Sequence, residues 1–124
     1  MPMRIGGNNR YSDIVINDRI IYLSGVVPSC DGTLYEQTKE VLDIIDKSLT
    51  CAGSSKNDIL TMTIYLTDIT KYEEMNRAFD EWIPAKSGPA RATIGASLPN
   101  PLWKIEVVVS AAVSQQNYPL NYIV

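Results

Sequence analysis

Two residues in the chain are of a type and spacing that invite chemistry. Arg91 follows Ser87-Gly88-Pro89-Ala90, and Glu106 stands 15 positions later, inside the apolar run Ile105-Glu106-Val107-Val108-Val109. A carboxylate in such a run must be paired or face solvent, because an isolated buried charge is strongly disfavoured. An arginine fork is permanently charged and matches a carboxylate bidentately. A glutamate can hold or deprotonate a water molecule. On spacing alone the first reading is plainer: a cross-strand Arg–Glu salt bridge.

What the sequence lacks narrows the chemistry. There is no histidine, which removes Ser-His-Asp and Cys-His nucleophile systems and most zinc sites. Acid–base work must fall to carboxylates, Lys, Tyr, Cys or water. Cys30 and Cys51 form no spacing pattern and read as inert free thiols in a reducing compartment. Lys and Arg total 11 against 14 Asp and Glu, whereas a nucleic-acid surface needs excess positive charge. Met1 to Gly7 has no apolar signal-like stretch, and no run approaches the roughly 18 apolar residues of a membrane span. The expectation is a cytoplasmic protein with neither a nucleic-acid nor a membrane partner.

The elements that must position Arg91 and Glu106 read as one domain over residues 1–124. Residues 1–10 are polar and Gly-rich and suggest a loose arm. Asp13 to Ile16 and Ile20 to Ser24 suggest a hairpin turning at Asn17-Asp18. Thr33-x-x-Glu36 is a capping box, followed by Val41, Leu42, Ile45, Leu49 and Ala52 at helical spacing, with Gly53 as the stop. Ile59 to Thr67 is rich in β-branched residues and suggests a strand. Thr70-x-x-Glu73 is a second capping box before the amphipathic set Tyr72, Met75, Phe79 and Trp82. Ala90 to Ala96 and Trp103 to Val113 are strands joined by the turn Leu98-Pro99-Asn100-Pro101, and are expected to pair as neighbours with Arg91 and Glu106 on one rim. In the last strand, alternation puts Lys104, Glu106, Val108 and Ser110 on one face. The order is β-β-α-β-α-β-β, an α+β chain with two helices on one face of its sheet. The bare sheet face invites self-association with closed symmetry. Ser114 to Val124 reads as a C-terminal tail that drapes the surface, covers a pocket or reaches a neighbour; Pro119 argues against a central strand.

Gly88-Pro89-Ala90-Arg91-Ala92-Thr93, Leu98-Pro99 and Lys104-Ile105-Glu106-Val107 together resemble the signature of the RidA family, also called YjgF or L-PSP. The resemblance spans roughly residues 10–113, with matched positions at matched spacing. It implies a chorismate-mutase-like subunit with a mixed sheet, a barrel-like homotrimer and pockets between subunits. It implies hydrolysis of reactive 2-imino and 2-enamino carboxylates to 2-oxo acids and ammonia, with no metal or organic cofactor. Arg91 would hold the substrate carboxylate and Glu106 would position water, making these two the catalytic pair. Tyr11, Ser24 beside Gly25, Asn76 and Thr93 fall at substrate-binding positions of the family. From their own context, Tyr11 is equally a surface tyrosine, Ser24 a turn residue and Asn76 a local hydrogen-bonding group. Thr93 stands where archetypal members often carry cysteine, and the loop from Trp82 to Arg91 is two residues shorter. The Arg10-Tyr11-Ser12-Asp13 opening and the 98–101 turn are similar to a divergent bacterial branch. Two other functions stay open: a carboxylate-binding or sensor trimer without rapid turnover, and an endoribonuclease of the L-PSP type, which the net charge of −3 opposes.

Overall fold

The computed structural model describes residues 1–114. Six strands form one mixed sheet in the order β1-β2-β3-β6-β4-β5: β1 is Met3–Ile5, β2 Ile14–Asn17, β3 Ile20–Leu23, β4 Ile59–Leu66, β5 Ala90–Gly95 and β6 Ile105–Ala112. Two helices, α1 (Leu34–Cys51) and α2 (Tyr72–Trp82), cover one face. That face carries Ile14, Ile16, Ile21, Leu23, Met62, Ile64, Leu66, Ile105, Val107 and Val109, all buried against Val41, Leu42, Ile45, Leu49, Met75 and Phe79 of the helices. The predicted alternation of β6 holds: Ile105 and Val107 are buried while Val108 is exposed.

Local sequence explains most of the boundaries. Thr33 accepts the Glu36 N–H, and Glu36 accepts the Thr33 N–H at 2.9 Å, so the first capping box forms as read. Gly53, at φ 83°, follows the end of α1. Three readings need correction. Residues 1–10 are not a loose arm: Met3–Ile5 pairs antiparallel with Ile14–Ile16, because Ile5 can cover the flank of the core. The hairpin turns at Asp18-Arg19, one residue later than expected. Asn17 still pairs with Ile20, and both turn residues take positive φ, the geometry whose twist suits a two-residue hairpin. The second capping box does not form. Asp68 instead accepts the Thr70 N–H at 3.1 Å and starts a 3₁₀ turn over Ile69–Lys71, from which α2 continues with no side-chain cap.

The largest correction concerns strand order. β5 does not pair with β6; it lies parallel to β4 at the sheet edge, while β6 runs antiparallel between β3 and β4. The β4-α2-β5 unit is a crossover, and a crossover brings a strand back parallel beside its predecessor. Residues 96–104 then pass the end of β4, where Ala96 N–H donates to Leu66 O and Thr67 N–H donates to Lys104 O.

Hydrogen bonds from α1 hold the two loops at this end. Gln37 is fully buried; its amide donates to Cys30 O and Leu102 O, at 3.0 and 2.8 Å, and accepts the Lys104 N–H at 2.8 Å. One turn later, Glu40 takes the Ser29 hydroxyl and the N–H groups of Ser29 and Cys30. Residues 115–124, on which most of the tail reading falls, lie outside the described residues.

The Glu40 bonds give stability a pH dependence. The Ser29 hydroxyl first, then the Cys30 N–H, hold the Glu40 carboxyl down to about 2 from an ordinary 4.5. The unfolded chain therefore binds a proton here more readily than the folded one. This contribution is complete above about pH 4.5 and is lost as pH falls toward 2. Denaturant unfolding between pH 6 and 2 should show Glu40→Gln less stable than wild type at pH 6, with a shallower loss of stability over the acid range.

Candidate functional site

The six predicted site residues fall into two groups at different places on the sheet. Tyr11, Ser24 and Glu106 line one open cavity of about 820 Å³, together with Gly25, Trp103 and Ile5. Arg91, Thr93 and Asn76 are not part of its wall.

The first group is assembled by short-range constraints. Tyr11 is 54% exposed on a tight loop. Asn8 shapes that loop: its side chain accepts the Arg10 N–H at 2.8 Å and its own N–H donates to Tyr11 O. At the start of the loop Gly7 has φ 83° and donates its N–H to the Asp13 carboxylate at 3.0 Å; a Cβ there would run into the backbone of Tyr11 and Ser12. Ser24 follows β3, and its hydroxyl donates to Ser12 O at 2.5 Å. That bond ties the Tyr11 loop to the neighbouring strand and leaves the Ser24 oxygen able to accept. The chain then crosses β6, where Val26 and Val107 exchange backbone bonds at 2.8 and 3.0 Å. This crossing lays Gly25 against Glu106. A Cβ on Gly25 would collide with Glu106 Oε2 and approach Cδ to 2.9 Å, so the carboxylate occupies the space a larger residue would fill. Among the described residues Glu106 has no hydrogen bond or salt bridge.

The second group sits on β5 and α2. Arg91 and Thr93 are in register with Met62 and Ile64, so both point to the helix-covered face, at the outer edge. The Arg91 guanidinium lies 5.0 Å from the centre of the Phe79 ring. Tyr72, Asn76 and Phe79 share an α2 stripe at i, i+4 and i+7. Asn76 donates to Glu73 at 3.4 Å, a long contact and the local hydrogen bond allowed for by its sequence context. Glu73 pushes the Tyr72 phenol up, while the positive charge of Arg91 pulls it down. Arg91, like Glu106, has no hydrogen bond or ion pair among the described residues.

The two charged residues therefore do not meet within one chain. Glu106 pairs with Tyr65 on the uncovered face, whereas Arg91 pairs with Met62 on the covered one. Three residues along β4 and two strand spacings across put their Cα atoms about 14 Å apart. This overturns the Arg–Glu salt bridge and the shared rim. Sequence reasoning missed Gln37 as a support, and it named Gly25 only beside Ser24, without its contact to Glu106. A glutamine inside an apolar helical stripe was the available signal for the first. The second shows only once β6 is placed.

Desolvation first, then the Glu40 carboxylate, push the Cys30 thiol up from its ordinary value. Among the described residues no cluster of three or more His, Cys, Asp or Glu could hold a metal ion, and no helix is long and apolar enough to cross a membrane.

A family model described as Endoribonuclease L-PSP matches residues 1–113. A RutC family protein of Haemophilus ducreyi is 44% identical over 117 residues, covering 94% of this chain and all of that protein. Another from Haemophilus influenzae is 44% identical over 110 residues, covering 87% and 95%. Among solved structures, a member of the YjgF protein family from Neisseria meningitidis superposes with a TM-score of 0.90 at 39% identity, covering 93% of this chain and 97% of that one. A Salmonella typhimurium protein described as a putative translation initiation inhibitor gives 0.83 at 40% identity, covering 90% and 97%.

The Gly25–Glu106 contact is open to test. Gly25→Ala should leave the melting temperature near that of wild type, because the flexible end of Glu106 can yield. A crystal structure of the variant should show the carboxylate displaced. Any reaction that depends on its position should slow by about 10²-fold.

Proposed function

Because the chain belongs to the RidA/YjgF (L-PSP) family, we propose that it hydrolyses small 2-imino and 2-enamino carboxylates to 2-oxo acids and ammonia, at sites formed between copies of itself. The family is associated with reactive-intermediate deaminase chemistry. One observation carries the reading for this chain: Arg91 and Glu106 lie on opposite faces of the sheet, and neither has a hydrogen bond or ion pair among the described residues. A second copy is the simplest way to unite them. The uncovered face offers the contact surface, since Tyr22, Ile94 and Val108 lie exposed on it beside Glu106. An exposed apolar face of this kind favours association with itself. We take the assembly to be a barrel-like homotrimer with a chorismate-mutase-like subunit, each site combining Arg91, Thr93 and Asn76 of one protomer with Glu106, Ser24 and Tyr11 of the next.

In this site the Arg91 fork grips the substrate carboxylate through paired N–H···O bonds. The C=N carbon then faces Glu106. Glu106 takes a proton from water as the water oxygen bonds to that carbon of the protonated imine, giving a neutral carbinolamine. The proton passes from Glu106 to the amine nitrogen, the C–N bond breaks as the hydroxyl proton returns to Glu106, and ammonia leaves the carbonyl behind. An enamine enters the same route once its β-carbon is protonated. Water is the only co-reactant, and every proton returns to product or solvent. Ser24 and Tyr11 bound the reacting end, and Thr93 lies two residues from Arg91 on the same strand face.

Two measurements test the reading. Sedimentation at micromolar concentration should give a stable species of three chain masses; a stable monomer overturns the shared site. Glu106→Gln should retain 2-oxo acid binding and melt like wild type, while single-turnover hydrolysis of an imine generated in situ slows by about 10²–10⁴-fold. Equal rates in the two proteins would favour the carboxylate-binding trimer.

A further inference from the structure

We propose that Phe79 is the positioning residue for Arg91: its ring is a platform that fixes the plane and direction of the guanidinium and so sets affinity for the carboxylate. This rests on the reading of Arg91 as the carboxylate-binding group. Arg91 projects from an edge strand with no hydrogen bond or ion pair among the described residues, so no polar contact holds its long side chain. The guanidinium lies 5.0 Å from the Phe79 ring centre, within the range of a cation–π contact. A guanidinium lying on a ring face keeps its N–H edge free. Stacking therefore orients the fork without spending the donors a carboxylate needs, which an acidic partner would consume.

The platform is itself rigid. Phe79 is only 6% exposed and belongs to the core cluster. Trp82, one turn later on α2, packs against it with ring centres 6.1 Å apart and planes tilted by 52°. Lys56 places its ammonium 5.3 Å from the centre of the Trp82 ring. Each ring of the tilted pair thus carries one cation, and Phe79, the ring under Arg91, is anchored in the core. A fork held in this way loses less freedom when it binds, and that loss is a main cost of binding.

The test is isothermal titration with pyruvate, and with pyruvamide as the analogue lacking a carboxylate. Phe79→Leu keeps apolar bulk but removes the ring face; Phe79→Tyr keeps the face. Phe79→Leu should bind pyruvate about twofold to fivefold more weakly, Phe79→Tyr should match wild type, and pyruvamide binding should be the same in all three. In an Arg91→Ala background, Phe79→Leu should have no further effect. Arg91→Ala that loses pyruvate while Phe79→Leu binds it like wild type overturns the platform and leaves the role of Arg91 standing. Arg91→Ala that binds pyruvate normally overturns both. A lowered melting temperature in Phe79→Leu with unchanged affinity also overturns the proposal. Should Phe79→Leu fail to fold, the wild-type NMR spectrum decides: ring current must shift the Arg91 Nε–H resonance upfield, and a resonance at the free-arginine position refutes the stacking.

Discussion

Strand alternation is the constraint on which the rest of this structure depends. Each residue of a strand must face one side of the sheet or the other, and here one side is buried under two helices while the other is bare. The rule puts Ile105, Val107 and Val109 into the core and leaves Glu106 facing out between them. Applied to β5, it turns Arg91 toward α2. Two charges that look like partners in sequence are thereby assigned to different sides, and neither has an ion-pair partner among the described residues. The same rule leaves Tyr22, Val108 and Ile94 exposed together. The groups that lack partners and the surface that lacks cover have one origin.

A chain that keeps charged groups unspent must hold them in place by other means. The neighbourhood of Glu106 is held by the Val26–Val107 backbone bridge and by the Ser24 hydroxyl bond to Ser12 O. The loops above it are held from α1 by Gln37 and Glu40. Gln37 is a polar group at 0% exposure, a placement that is stable only because each of its three hydrogen bonds is made. Removing its amide would orphan carbonyls on two loops together. On the other side of the sheet, Arg91 is steadied by an aromatic ring. In both halves, the residues that fix the charge leave its hydrogen-bonding capacity free.

The readable part of the fold was the part set locally. The first capping box, the helical stripe of α1, the alternation of β6 and the two-helix, one-face arrangement all follow from patterns a few residues long. What escaped was set at a distance. The pairing of β5 with β4 depends on where a crossover lands, and no short pattern in Ala90 to Gly95 distinguishes that from pairing with β6. The strand at Met3–Ile5 is too short to show a period and exists because β2 offers it an edge. The Thr70 and Glu73 spacing suited a capping box, yet Asp68 was better placed to take the Thr70 N–H. For the site, residue types pointed to Arg91 and Glu106, and the family resemblance added Tyr11, Ser24, Asn76 and Thr93. Their grouping did not follow, because it depends on strand order.

The close approach of Gly25 to Glu106 also bears on how this sequence can vary. Every amino acid except glycine carries a Cβ, so at position 25 each possible replacement meets the same obstacle, and the obstacle is another residue's side chain rather than a backbone torsion. The demand for glycine therefore lasts only as long as the glutamate does. A descendant that shortened residue 106 would at once be free to accept alanine or serine at 25. Having done so, it could not regain the long carboxylate in its old place without first reversing that second change. The two positions form a ratchet: the order in which they mutate decides whether the loss of the acid can be undone by a single substitution.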